Sequence, residues 1–184
     1  LFGKVNPSGR LPESFPFSHM DCPAHCIGEF PGGKTVAYRE GIFVGYRYYE
    51  TRQMSVAFPF GYGLSYTEFT YERLKARVKG NGNGAKVQVT LGVVNTGAMK
   101  GNEVVQLYVG RKNSGEDRPI RELKAFDKIS LKPGEIKNLE FMLDMEAFSY
   151  YDEKEKEFRV EKGAYIISVC RSAHEVWMET EVEL

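Results

Sequence analysis

From Lys86 to the end of the chain, apolar side chains recur at nearly every second position, a period that points to short antiparallel strands with one dry and one wet face. Val87, Val89, Leu91 and Val93 alternate with Lys86, Gln88, Thr90 and Gly92. Val105, Leu107 and Val109 repeat the pattern, and Leu123, Ala125, Ile129 and Leu131 follow it more loosely. Beyond the turn Lys132-Pro133-Gly134-Glu135 come Ile136, Leu139, Phe141 and Leu143, then Tyr165, Ile167 and Val169, and finally Val176, Met178, Thr180 and Val182. With Phe69, Tyr71, Leu74 and Val78 as a first strand, set off by Lys79-Gly80-Asn81-Gly82-Asn83-Gly84, this makes about seven strands, enough for an immunoglobulin-like sandwich. The expected core holds Val89, Leu91, Leu107, Phe141, Ile167 and Val169. Gln88, Thr90, Gln106 and Ser168 are expected to face outward or toward a polar seam.

The first 67 residues read differently. Pro7, Pro12, Pro16, Pro23 and Pro31 forbid a long helix across residues 1–37 and favour extended, turn-punctuated chain. Residues 38–67 then concentrate Tyr46, Tyr48, Tyr49, Phe58, Phe60, Tyr62 and Tyr66 among Gly41, Gly45, Gly61 and Gly63. Such a segment is either a packed interdomain connector or an aromatic platform for a sugar. Docking it onto the sandwich, or onto a second copy of the chain, is what would order it, which leaves residues 17–36 as the least anchored stretch. Arg39, Arg47 and Arg52 lie among these tyrosines and can stack on rings, hold carboxylates or bond sugar hydroxyls.

Several classes of function are disfavoured by composition. Lys+Arg and Asp+Glu number 25 each, so no net field draws nucleic acid or an anionic membrane to the chain. No apolar run reaches the roughly 18 residues that span a bilayer. Cys22, Cys26 and Cys170 are too few for a disulfide scaffold, and reduced thiols in a bacterial cytoplasm fit them best. The triplet Asn6-Pro7-Ser8 has proline in the position that bars glycosylation.

Two clusters invite a chemical reading. His19, Cys22, His25 and Cys26 are all zinc-ligand types, but they are crowded into one short run around Pro23, where four lone pairs converge only under strain. Ordinary loop residues are the simpler reading. Asp152, Glu153, Glu155 and Glu157 alternate with Lys154 and Lys156 as a solvated turn, and Glu116 and Asp117 read the same way. Glu40 and Glu50 in the aromatic segment are better placed for a site, although nothing in the spacing makes them face each other.

Asn6-Pro7-Ser8-Gly9-Arg10-Leu11-Pro12 with Phe15-Pro16, the run Glu40-Gly41-Ile42-Phe43-Val44-Gly45-Tyr46-Arg47-Tyr48-Tyr49, and Phe58-Pro59-Phe60-Gly61-Tyr62-Gly63-Leu64-Ser65-Tyr66-Thr67 resemble the C-terminal region of family 3 glycoside hydrolases, the β-glucosidase and β-xylosidase group. Val93-Val94-Asn95-Thr96-Gly97, Gly101-Asn102-Glu103-Val104-Val105-Gln106-Leu107-Tyr108-Val109, Arg118-Pro119 and Leu131-Lys132-Pro133-Gly134-Glu135 are similar to the fibronectin-III-like domain found in many members. Arg10 stands where lysine is usual. The resemblance implies that residues 1–67 are the end of an α/β sandwich domain plus a connector, and that residues 68–184 are a fibronectin type III-like domain. The expected fold is therefore a mainly β, fibronectin-III-like sandwich with an N-terminal extended, turn-rich segment.

Members of the family are retaining enzymes that use two carboxylates about 5–5.5 Å apart. The nucleophilic aspartate belongs to an N-terminal barrel and the acid/base glutamate to the α/β sandwich domain, and neither motif matches a stretch of this chain. No catalytic, cofactor-binding or metal residue is assigned, and no cofactor is expected. The chain reads as a C-terminal accessory region whose partners are the N-terminal catalytic domains of the same polypeptide and, through them, a terminal β-linked glucoside or oligosaccharide. Self-association, a carbohydrate-binding module and a general protein-interaction domain are the alternatives.

Overall fold

The computed structural model describes residues 2–28 and 30–184. Two antiparallel sheets face each other. One joins β1 (Phe69–Lys79), β2 (Lys86–Asn95) and β5 (Ile136–Asp144) in the order β1-β2-β5. The other joins β3 (Gly101–Arg111), β4 (Glu122–Leu131), β8 (Ala164–Cys170) and β9 (Val176–Glu183) in the order β4-β3-β8-β9. Between them lie two clusters that mix both sheets: Val87, Val89, Leu107 and Ile167 in one, Leu91, Val93, Val105 and Val169 in the other. All eight are buried, and Phe141 packs on both clusters while staying partly exposed at the edge. The mainly β sandwich read from the alternation is therefore the fold, with the fibronectin-III-like type implied by the resemblance, and its two facing sheets hold seven strands among the described residues.

Two further strands, β6 (Ser149–Asp152) and β7 (Glu157–Val160), form a separate hairpin from the charged stretch that read as a turn. Asp152 closes that turn by accepting the backbone N–H groups of Lys154 and Glu155. Those bonds, Glu155's foremost, hold its carboxyl below the usual carboxylate range.

Strand periodicity fails at three register shifts, one of them between Val169 and Cys170, where Met178 and Val176 end on different cores. In β1 the pairing shifts between Glu72 and Lys75, where Arg73 has φ +58°, so Leu74 and Ala76 replace the strict continuation of Phe69 and Tyr71. Val78 pairs with Val87 but stands 41% exposed at the sandwich end. Between β3 and β4 the pairing jumps from Leu107↔Ala125 to Tyr108↔Leu123, which leaves Lys124 unpaired. Leu123 and Ala125, two residues apart, consequently serve different cores.

The β2–β3 turn is closed by Asn95, which is fully buried. Its carboxamide oxygen accepts Thr67 Oγ1 at 2.7 Å and Gly97 N at 3.1 Å, and its nitrogen donates to the carbonyls of Met99 and Leu131 at 2.8 and 3.0 Å. One side chain thereby ties three segments together.

Cys170 faces away from the inter-sheet core yet is fully buried, because another layer covers it. That burial pushes its thiol up to about 12. At pH 8 only roughly one Cys170 in ten thousand is thiolate. Native protein is expected to be alkylated at exposed Cys26 and not at Cys170, which should react only on unfolding. Equal native labelling of both, read by mass spectrometry, would mean that the covering layer opens freely.

Candidate functional site

The layer over Cys170 is the aromatic connector, and its joint with the outer face of the four-stranded sheet is the most elaborately built part of the molecule. A short helix, α1 (Pro23–Cys26), stands in the N-terminal arm, and a second, α2 (Tyr46–Thr51), opens the connector after Gly45, whose φ of +57° starts the turn. Tyr46 stacks on Phe60 with ring centroids 4.7 Å apart and meets Tyr108 edge-on at 5.8 Å. Its hydroxyl accepts the backbone N–H of Leu123 at 2.9 Å, and burial raises its pKa. Tyr108, Cys170 and Ala173 form the floor on which Tyr46 and Phe60 sit.

Gln106 is the polar centre of the joint. Its nitrogen donates to the carbonyls of Gly61 (3.1 Å) and Arg171 (2.7 Å), while its oxygen accepts the Tyr108 hydroxyl at 2.9 Å. Gln106 and Ser168 do lie on the outward face, yet both are buried: Gln106 by the connector, Ser168 with its hydroxyl on Glu179 at 2.7 Å. A backbone bond from Ala173 to Phe60 completes the seam.

Behind the connector runs the Asn6–Pro16 stretch. Leu11 and Phe15 exchange backbone hydrogen bonds with Gly61, Tyr62, Ala57 and Phe58, and Asn6 accepts the Tyr66 N–H at 2.6 Å. Arg10 reaches furthest. It donates to Gly63 O at 3.2 Å and to Glu103 Oε1 at 2.7 Å, and the same oxygen accepts the Tyr71 hydroxyl at 2.7 Å. The Glu103 side chain is completely buried and the Arg10 side chain is 13% exposed. Burial, reinforced by Glu103, pushes the Tyr71 phenol upward, so it remains a donor.

Of the residues singled out in sequence, some of the acids share one concavity and the others stand apart. Glu50 is buried on α2 and held by Arg121 at 2.8 Å, with His174 Nδ1 at 3.4 Å. Glu40 lines a separate concavity of about 1110 Å³ between residues 39–43, the 116–119 loop and the β6–β7 hairpin. Glu116 and Asp117 line it too, as do the hairpin-turn residues Asp152 and Glu153, while Arg118 lies over the Tyr150 ring. Arg47 pairs with Glu122 at 3.5 Å. His19 and His25 meet edge-on at 5.4 Å, and His25 abuts Phe30 at 4.8 Å. Among the described residues, no three His, Cys, Asp or Glu side chains come together as a metal site.

Sequence reasoning missed the Arg10–Glu103–Tyr71 set. A signal was present: Glu103 occupies the same phase of β3 as Val105, Leu107 and Val109, so a charge was written into the dry face.

Residues 103–173 match the fibronectin type III-like domain family model. Over its whole length the chain is 43% identical to the thermostable β-glucosidase B of Acetivibrio thermocellus, of which it covers 24%. It is also 41% identical to β-glucosidase B of Emericella nidulans, covering 23%. The crystal structure of a GH3 β-glucosidase from Bifidobacterium adolescentis superposes on all of it with a TM-score of 0.90 at 40% identity, using 27% of that chain. Residues 103–173 thus carry a fibronectin type III-like domain, and the chain as a whole is similar to a region of family 3 β-glucosidases. A Kluyveromyces marxianus β-glucosidase solved in complex with glucose gives the same TM-score of 0.90 at 41% identity, with 22% of it covered. The chain thus spans about a quarter of the length of the relatives it matches.

Proposed function

We propose that this chain is the non-catalytic support of a retaining β-glucosidase-type hydrolase that removes terminal β-linked glucose. The sandwich holds the connector, and the connector holds the catalytic portion. The observation that carries this reading is where apolar surface stands open. Most of the exposed large hydrophobic side chains precede Thr67, among them Phe2 (92%), Tyr38 (90%), Phe17 (72%) and Leu64 (67%). Concentrated exposure of that kind marks a face that another protein surface covers. The catalytic domains of the same polypeptide are the proposed cover, and the glycoside is their ligand rather than this chain's.

A carbohydrate-binding module would need a flat row of rings. The open face of the three-stranded sheet carries instead the rows Thr70–Val94–Ile136, Glu72–Gly92–Asn138, Lys75–Thr90–Glu140 and Arg77–Gln88–Met142, with no aromatic side chain among them. Trp177 is occupied at the sandwich edge by Tyr71 at 5.6 Å and Arg171 at 5.4 Å. The purified chain is expected to release no nitrophenol from aryl β-glucosides or β-xylosides above the blank. Turnover that survives repurification and disappears in Glu40→Gln would overturn the support role. Saturable binding of soluble cello-oligosaccharides in calorimetry would favour the module instead.

A further inference from the structure

The tip joining β1 to β2, Lys79-Gly80-Asn81-Gly82-Asn83-Gly84, takes no part in the joint. We propose that Asn81 is a site of spontaneous deamidation through a succinimide. The Gly82 backbone nitrogen attacks Cγ of Asn81; the new C–N bond forms as the carboxamide nitrogen leaves as ammonia, which takes up the proton lost from the Gly82 N–H. Water then adds to one of the two ring carbonyls, the bond from that carbon to the ring nitrogen breaks, and the nitrogen takes up the proton that water gives up. The product is aspartate, or isoaspartate with the chain rerouted through the side chain. One water is consumed and one ammonia released, and no oxidant or reductant is required.

Two features of the tip favour that attack. Asn81 is exposed and sits at the N-cap of the Gly82–Gly84 turn without making the usual cap hydrogen bond, so its carboxamide is not held in place. Gly82 has φ +58°, and a Cβ there would meet no atom within 4 Å. The attacking nitrogen therefore has no side chain beside it.

The other asparagines lack this combination: Asn113 is exposed with φ +54°, but it precedes Ser114, whose side chain flanks the attacking nitrogen and whose hydroxyl bonds Glu161. Asn95 is buried and fully bonded. Asn102 and Asn138 lie within β3 and β5 and precede Glu103 and Leu139. Asn6 precedes Pro7, which has no N–H to lose. Asn83-Gly84 repeats the dipeptide, so the assignment to Asn81 must be resolved by fragmentation.

The test is to age the native chain in warm, mildly alkaline buffer made with heavy-oxygen water, digest it with trypsin and sequence the Gly80–Lys86 peptide by mass spectrometry. Acid and isoacid bearing one heavy oxygen should accumulate at Asn81 at least roughly tenfold faster than at Asn102 or Asn138, and Gly82→Ala should slow it by about as much, because a Cβ shields the nitrogen and restricts φ. Continued protection of Cys170 in the aged protein and in Gly82→Ala shows that the fold is intact. Conversion confined to Asn83, conversion at Asn81 no faster than at Asn102, or a rate indifferent to Gly82→Ala would each overturn the proposal.

Discussion

Replacing Arg10 by methionine is expected to cost about 3–5 kcal/mol of folding stability, because it strands a buried carboxylate rather than merely deleting a contact. Glu103 has no exposed side-chain surface; Oε1 takes both Arg10 and Tyr71, and Oε2 has no hydrogen-bond partner. With Arg10 gone, the charge faces only a phenol. The double variant Arg10→Met with Glu103→Leu should recover most of the loss, since a buried ion pair replaced by apolar groups of similar volume is often neutral. Urea unfolding of the four proteins in the cycle measures the coupling. A single-variant loss below about 1 kcal/mol would mean that the pair behaves as a solvated surface bridge.

Gly61→Val is expected to lift the connector off the sheet. Gly61 has φ +79°, where a β-branched residue is strained, and its Cβ would land on the Gln106 carboxamide oxygen. Gln106 cannot swing aside cheaply, because it bonds Gly61, Arg171 and Tyr108 at once. Backbone strain of about 1–3 kcal/mol and overpacking of a similar size both act at the joint. The distinguishing readout is local: Cys170 should become reactive in the native state while the amides of β2 stay protected from hydrogen exchange. Loss of protection throughout the sandwich would show that connector and sandwich unfold as one unit. Retention of wild-type Cys170 protection would show that the seam absorbs the side chain.

The two-residue alternation of Val87 to Val93, Val105 to Val109 and Tyr165 to Val169 determined the sandwich and its dry face, because strand geometry sends successive side chains to opposite sides whatever surrounds them. The turn at Lys132-Pro133-Gly134-Glu135 was equally legible, with Gly134 at φ +72° and Glu135 accepting the Lys132 N–H. Local chemistry was enough for both. It was not enough where a bulge reset the phase, so that Leu123 and Ala125 face different cores, or where the segments flanking the charged turn paired as β6 and β7.

Nor could alternation assign Gln106, Tyr108 and Cys170, which occupy the face that a bare sheet gives to water. Their burial depends on Tyr46, Phe60 and Gly61, some 45 to 125 residues away in sequence, and Glu103 depends on Arg10 across 93 positions. Whether a polar residue on a strand meets solvent or a partner is decided by what the rest of the chain lays over it. Periodicity records the faces of an element, while only the tertiary structure records which faces are covered.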